Sequence, residues 1–417
     1  MDERFDLVIV GGGVGGGALA TTLARAGCSV LVLEKSTVYR DHVRGEWIAP
    51  WGVVELKTLG LYDAVLAAGG HHLARHLPSE VGMSPEMAAL MSLDLTALLP
   101  GIPGPLCFGH PAFCQLLIEQ AAAAGATVRR AVSDVRITAG AEPAVEYGLD
   151  GQRHRATCRL IVGADGRGSQ VRKAIGVELH RDPTHHLFAG MLVEGADGWP
   201  ADTQTVGAEG DVHFLIFPQG NGRIRLYLGY PSDQPRRLAG AEGPRAFLDA
   251  FRLESLPGCE AICGARPAGP CHSYPNEDTW TDAVAVPGVV LIGDAAGSND
   301  PIIGQGLSIT LRDVRLVRDA LLAAREWTPA IFEAYAAERR ERMRRLRFAA
   351  SIVATLQNEF GPAAEERRRR VREGMLQDPT LILPVMTTLV GPDNVPADVF
   401  DEAMRARLVG GPEIVHR

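Results

Sequence analysis

The sequence predicts an α/β protein in which a βαβ domain is interleaved with a lobe built on a mostly antiparallel sheet, with helices at the C-terminal end. Three observations predict it. A short apolar strand, a glycine cluster and a helix open the chain, and between about residues 185 and 272 the pattern changes to alternating strands separated by Gly-Asn-Gly and Pro-Ser-Asp turns. From residue 328 onward the composition is that of helices. At about 150 residues per domain, 417 residues make two to three domains, and interleaved segments can build fewer bodies.

Residues 5–10 (FDLVIV) read as a buried strand because they form a continuous, β-branched run ending in glycines. The helix 15–26 follows and is stopped by Gly27; residues 29–33 (SVLVL) form a second buried strand ending at Glu34. The crossover is right-handed by the general rule for such units. Apolar residues recur at helical spacing over 51–66 (WGVVELKTLGLYDAVL) and 110–124, before a strand near 126–129. Residues 159–162 (RLIV) return to the first sheet, 211–217 and 223–230 are strands of the second lobe, and 286–292 (VPGVVLI) read as one more buried strand. A helix over 306–324 and further helices follow, with breaks at Asp378-Pro379 and Pro392-Asp393. The resulting division assigns 1–74, 106–182 and 284–350 to the βαβ domain and 75–105 and 183–283 to the sheet-built lobe. Residues 351–417 are then a helical segment, either a cap or an oligomer contact.

With 46% hydrophobic and 22% charged residues the chain can bury a large core, which excludes a disordered protein. No apolar run approaches the roughly 18–20 residues of a membrane span. The balance of 42 basic against 50 acidic residues argues against a nucleic-acid partner. Two basic runs, 338–347 (ERRERMRRLR) and 365–372 (EERRRRVR), have acidic residues ahead of the basic ones and read as solvated helix faces. The cysteines at 28, 107, 114, 158, 259, 263 and 271 form no CxxC pair, so a reducing cytoplasm is the expected setting. The start, MDERFD, lacks the pattern of a signal peptide. His71, His72 and His76 follow Gly69-Gly70 with no carboxylate to complete a ligand set, so they read as surface histidines and no metal is expected.

Gly11, Gly13 and Gly16 form G-x-G-x-x-G between the first strand and first helix, and Glu34 stands 23 residues after Gly11. In this Rossmann-type arrangement Gly11 permits the tight turn, Gly13 lets backbone approach a pyrophosphate and Gly16 allows close packing. The phosphates sit at the helix N-terminus, where free N–H groups and the dipole favour anions, and Glu34 accepts from an adenosine ribose. Val14 and Lys35 adjoin these positions and are included as cofactor contacts.

Two more loops follow core strands: Gly163-Ala164-Asp165-Gly166 and Gly293-Asp294-Ala295-Ala296, the second leading to Pro301-Ile302-Ile303-Gly304-Gln305-Gly306. Together with the glycine fingerprint these ordered motifs, across residues 5–350, resemble the flavoprotein aromatic hydroxylases, class A FAD monooxygenases with the p-hydroxybenzoate hydroxylase fold. The resemblance implies FAD. It implies that Arg44 reaches the diphosphate, that Asp165 stabilises the loops around the cofactor, that Asp294 accepts a hydrogen bond from the ribityl chain and that Pro301–Gly306, with Leu307, meet the flavin. Val135 falls where family backbone meets adenine, and His110 stands where relatives carry Arg or Gln. A helix starting near Gly304 also aims its positive end at the edge where a reduced flavin gathers negative charge. Gly297 and Ser308 replace the His and Asn of many hydroxylases, and Gly45-Glu46 with Gly297 are similar to flavin halogenases and geranylgeranyl reductases.

The implied activity is hydroxylation or epoxidation of an aromatic or other electron-rich small molecule, with O2, through a flavin C4a-hydroperoxide, possible work for secondary metabolism. With no second glycine fingerprint, NAD(P)H is a transient electron donor. No side chain stands out as a nucleophile, so no catalytic residue is assigned. The halogenase signature W-x-W-x-I-P, a C-x-x-x-x-C pair and a G-x-S-x-G elbow are all missing. A halogenase-like or reductase-like enzyme reduced by a partner, and a non-catalytic FAD-binding redox sensor, remain as alternatives. Strand alternation puts His213, Leu215 and Phe217 on one face and Arg225 and Tyr227 on another; these, with Trp47, are the substrate-pocket candidates.

Overall fold

The computed structural model of the chain describes residues 2–43 and 45–410. Its first sheet is centred on the strand Leu7–Val10, with Val30–Glu34 and Thr127–Arg130 on one side and Leu160–Gly163, Val289–Leu291 and Ala285–Val286 on the other. Every neighbouring pair is parallel except the last, which is a hairpin. Leu7, Val8, Ile9, Val32, Ile161 and Val289 are fully buried, because helices cover both faces of a parallel sheet. Val14–Arg25 is the first of those helices. A Cβ on Gly17 would come within 2.8 Å of the Leu117 Cβ, so that glycine sets the close approach of the helix His110–Ala123.

Two expected elements are divided. Residues 286–292 are not one strand: Pro287-Gly288 makes a turn, with Gly288 at φ 78°, between Ala285–Val286 and Val289–Leu291, which is the ordinary behaviour of a Pro-Gly pair. The helix expected over 51–66 is broken at Gly60 (φ 66°) into Pro50–Thr58 and Tyr62–Ala67.

The second sheet runs, in spatial order, Arg266–Pro267, His186–Glu194, Arg223–Pro231, Val212–Pro218, Thr203–Glu209, Arg75–Glu80 and Leu93–Asp94; His272–Asn276 also pairs with His186–Glu194. It is antiparallel but for the pairing of Thr203–Glu209 with Arg75–Glu80, which stitches in a segment distant in sequence. The C-terminal helices Glu333–Gln357, Pro362–Gln377, Leu383–Val390 and Glu402–Leu408 pack around Phe348, Ile352, Leu356, Val371, Leu381, Phe400 and Leu408. All seven cysteines are free thiols, and no described helix is long and apolar enough to cross a membrane.

The basic runs are not simply solvated faces. Arg339, Arg342 and Arg368 are 4%, 2% and 5% exposed. Arg339 Nε and Arg342 Nη2 donate to the two oxygens of Asp313, at 3.1 and 2.6 Å. Only the outer members behave as expected: Arg344 pairs with Glu341, and Arg369 with Glu366 and Glu373, on the surface. Counting charges along a helix could not reveal that a buried aspartate on the helix Gly306–Ala323 needed two cations.

Candidate active site

One continuous cavity of about 1520 Å³ runs from the glycine loop, across the segment 301–307, to the face of the second sheet and the C-terminal helices. Isolated small-molecule pockets usually span about 300–1,000 Å³, so this one has room for a dinucleotide and a second ligand.

At the end of the cavity beside the first helix, the three glycines have different surroundings. Gly11 has φ 104°, and a Cβ there would lie 2.4 Å from the Ala164 carbonyl oxygen, so two loops meet at this point. A Cβ on Gly16 would fall 1.9 Å from the Gly11 oxygen, whereas nothing lies within 4 Å of one on Gly13. Gly13 therefore leaves open space at the start of the helix Val14–Arg25, which has no side-chain cap and no acidic residue in its first turn. Its unpaired N–H groups are suited to an anion. Glu34 Oε2 accepts from Gly12 N and Oε1 from Ser36 N, both at 2.7 Å; each oxygen keeps a lone pair for a ribose hydroxyl. Val14, Lys35, Val135 and His110 line the same end. The His110 ring packs against Gly45, where a Cβ would meet its Cδ2 at 3.0 Å. Arg44 lies outside the described residues.

The middle of the cavity is a braced pair of loops. Asp165 accepts from Ser169 Oγ at 2.5 Å and Gln170 N at 2.6 Å, capping the short helix Gln170–Ala174 while lining the cavity. Asp294 accepts from Arg167 Nε at 3.3 Å. Gly293 (φ 58°) donates its N–H to Asp313 at 2.8 Å, and Arg339 Nη2 holds the Gly293 and Gly297 carbonyls at 3.1 and 2.8 Å. The buried triad thus fixes the loop that carries Asp294. Pro301–Ile303 forms one 3-10 turn, Gly304 follows at φ 65°, and the helix Gly306–Ala323 begins with neither side-chain cap nor acidic first turn. Two uncapped helix N-termini therefore open into one cavity. Gln305, fully buried, accepts from Trp51 Nε1 at 2.8 Å and donates to Thr388 O at 3.0 Å, tying this turn to the C-terminal helices. Leu307 lines the same stretch.

The far end is aromatic. Trp47 lies 6.0 Å from Phe217, Phe217 lies 6.3 Å from Tyr227, and Phe188 lies 6.4 Å from Tyr227 and 5.9 Å from His213. All five line the cavity. Trp47 Nε1 donates to Gln204 Oε1 at 2.9 Å, and its ring leans on Gly304, where a Cβ would lie 3.3 Å away. Arg225 is the exception among the expected pocket residues. It shares a strand face with Tyr227 but is fully buried and off the cavity wall, since Glu46 and Asp41 take its guanidinium, with Nη2 at 2.8 and 2.7 Å from their oxygens. Its partners lie on the segment that flanks Arg44, and a sequence pattern on one strand carries no sign of them.

His76 also departs from expectation. It sits on the strand Arg75–Glu80, not on a helix or the open surface, lines the cavity near Gln204 (3.3 Å), and burial pushes its pKa down to about 4. His72 is held by the Tyr62 hydroxyl at 2.9 Å. Among the described residues no three His, Cys, Asp or Glu side chains could hold a metal ion. Sequence reasoning missed Phe188, Gln204 and Tyr274, and with them the whole C-terminal wall, in which Val353, Gln357, Arg368 and Leu389 take part. Alternation along 186–194 could have found Phe188; Gln204 and Tyr274 lie on strands that were not singled out, and the helices after residue 350 gave no signal for the C-terminal wall.

Residues 4–349 match the family model described as FAD binding domain. Squalene epoxidase 2, mitochondrial, of Arabidopsis thaliana is 25% identical over 334 residues, 77% of this chain and 54% of its own length. The chain therefore spans little more than half of that relative. Digeranylgeranylglycerophospholipid reductase 1 of Methanococcoides burtonii is 29% identical over 320 residues, 74% of this chain and 72% of its own. In fold, the p-nitrophenol 4-monooxygenase PnpA of Pseudomonas putida DLL-E4 superposes with a TM-score of 0.78 at 20% identity, over 94% of this chain and 100% of that one.

Proposed function

Because the chain belongs to the FAD binding domain family, we propose that it is an FAD-dependent monooxygenase that takes electrons from NAD(P)H and uses O2 to hydroxylate or epoxidise an aromatic or other electron-rich small molecule. The observation that carries this reading is the single cavity joining a dinucleotide crevice to an aromatic chamber. Two adjoining sites in one cavity suit a reaction in which a bound cofactor acts directly on a substrate beside it.

In this reading Gly11, Gly13, Val14 and Gly16 cradle the diphosphate, a role the sequence resemblance extends to Arg44; Glu34, Lys35 and Val135 hold the adenosine; Asp165, Gly293, Asp294 and His110 hold the middle of the cofactor; and Pro301 through Leu307 meet the ring. The crevice fits the group, since Gly13 leaves open space before free helix N–H groups. FAD, reduced by NAD(P)H, supplies the oxygen-activating chemistry. The protein's part is placement. The N–H groups at the start of the helix Gly306–Ala323 favour negative charge on a ring edge set across them. Trp47, Phe188, Phe217 and Tyr227 present apolar faces that hold an aromatic substrate and keep water out. We assign residues 1–74, 106–182 and 284–350 to the cofactor domain, 75–105 and 183–283 to the substrate domain, and 351–417 to a C-terminal helical segment. NAD(P)H binds transiently, and a reducing cytoplasm suits the free thiols.

The test is reduction of the FAD-loaded protein by NADH and NADPH, anaerobically and in air, across phenols, quinolones and polyketides. Substrate-accelerated reduction with a product heavier by one oxygen atom is the expected result. FAD that neither nicotinamide reduces under any condition would reject the reading in favour of a partner-reduced enzyme.

A further inference from the structure

At the far end of the cavity, beyond the aromatic side chains, buried polar atoms lack partners. Five of the twelve buried side-chain polar atoms without a hydrogen-bond partner among the described residues belong to four residues here: His213 Nε2, Gln357 Oε1, both amide atoms of Asn358, and Arg368 Nη2. Their neighbourhood is fixed from several directions. Arg368 Nη1 donates to the Leu356 and Glu359 carbonyls at 2.9 and 3.0 Å, so its guanidinium wraps the end of the helix carrying Gln357 and Asn358. Asn358 lies over Gly229, where a Cβ would meet its Oδ1 at 2.4 Å, and Gly229 is the cross-strand partner of His213. His213, Gln357 and Arg368 line the cavity. Leaving polar atoms unsatisfied in such a place is costly, so their concentration marks a site shaped for a polar ligand group.

The donor and acceptor pattern says which group. His213 Nδ1 lies 2.9 Å from the Gly207 carbonyl, which only accepts, so Nδ1 carries the proton and Nε2 presents a lone pair. Burial first, and the Arg368 charge in addition, pushes its pKa down to about 4, so the ring is neutral at pH 7. Arg368 offers donors only. A carboxylate would satisfy Arg368 but set its own lone pairs against His213. A hydroxyl has both capacities, donating to a lone pair such as that of His213 and accepting from an N–H such as those of Arg368.

Building on the monooxygenase reading, we propose that His213 and Arg368, backed by Gln357 and Asn358, form a specificity subsite for a hydroxyl group on the substrate end farthest from the glycine loop. Arg368, Gln357 and Asn358 lie after residue 349, beyond the stretch that matches the family model.

The experiment is isothermal titration of the FAD-loaded protein, without NAD(P)H, using 2-naphthol, 2-methoxynaphthalene, naphthalene and 2-naphthoate as probes. 2-Naphthol is expected to bind at least about tenfold more tightly than either compound without the hydroxyl, since hydrogen bonds lost inside a buried site are not replaced by water. Arg368→Met and His213→Leu should each shrink that preference to about threefold or less, with FAD content unchanged and little effect on naphthalene. Equal affinities, no detectable binding of 2-naphthol, or a preference that survives both substitutions overturns the proposal; tighter binding of 2-naphthoate replaces it with an anion site. If either variant fails to fold, the wild-type probe series decides alone. The two readings fail separately: selective binding without any oxygenation would reject the monooxygenase and keep the subsite, and oxygenation with equal affinities would do the reverse.

Discussion

Asp313→Asn keeps the shape of a buried side chain and removes its charge, which makes it a clean probe of the brace behind the 293–297 loop. Asp313 is completely buried and accepts from Arg339 Nε, Arg342 Nη2 and Gly293 N. Burial by itself would raise its pKa, but Arg339 and Arg342 hold its carboxyl below the ordinary value. Without the charge, Arg342 keeps Glu338 at 3.0 Å, whereas Arg339 keeps only carbonyl oxygens. One of two guanidiniums is then buried without a counter-ion, which places the cost at the low end of the 3–5 kcal/mol typical of a broken buried pair, about 3 kcal/mol. At about 2.1 cal/mol/K per residue a chain of 417 residues shifts by roughly 1 °C per kcal/mol, so this lowers the melting temperature of the FAD-loaded protein by about 3–4 °C. The sign of the pH dependence is fixed. A depressed carboxylate contributes fully above its unfolded pKa near 4 and loses its contribution as pH falls through the lower folded value, so the difference between variant and wild type stays constant from pH 5 to 8. Thermal unfolding across that range, with Arg344→Ala as an exposed-pair control expected to cost under about 1 kcal/mol, is the assay. A drop in melting temperature below about 2 °C, or one no larger than the control's, would refute the bracing role.

Gly16→Ala drives a methyl into the Gly11 carbonyl and should weaken FAD binding by tenfold or more, read by flavin fluorescence titration; unchanged affinity would contradict the close packing. Trp47→Leu removes the ring that rests on Gly304 and should raise substrate Kd about tenfold while leaving FAD affinity within about threefold. Asp300 is a buried carboxyl whose pKa burial raises to about 7 from 3.8, so the folded protein binds an extra proton between those values and stability falls as pH rises through that window. Asp300→Asn, which can still accept from Ile302 N, should flatten that fall and gain stability at pH 8 relative to pH 5, by up to roughly 2.7 kcal/mol; denaturant melts at both pH values with equal differences would count against it.

The cofactor end was legible because its constraints are local. Gly11, Gly13, Gly16 and Glu34 act through backbone geometry within a single βαβ unit, and Pro301–Gly306 through the start of one helix. Strand alternation likewise located Phe217 and Tyr227, since a period of two survives any tertiary context. What stayed hidden needs a partner far away in sequence. Arg225 looks like a pocket residue until Glu46 and Asp41 are seen beside it, and Arg339 and Arg342 look like a wet face until Asp313 is. The Pro287-Gly288 turn was readable by type but was submerged in an apolar run.

The central strand Leu7–Val10 has a consequence for how the protein is made. Its neighbour on one side is residue range 160–163, whose own neighbour is 289–291, and the loop beside them is held by Arg339. During synthesis the glycine loop emerges first and the groups that hold its opposite wall emerge hundreds of residues later. The sheet edge at the apolar strand 160–163 stays unfilled until 289–291 is made, the kind of surface that recruits chaperones or aggregates. Slow translation before residue 342 should therefore lower soluble yield more than slow translation after it, and added flavin should rescue only chains already past that point.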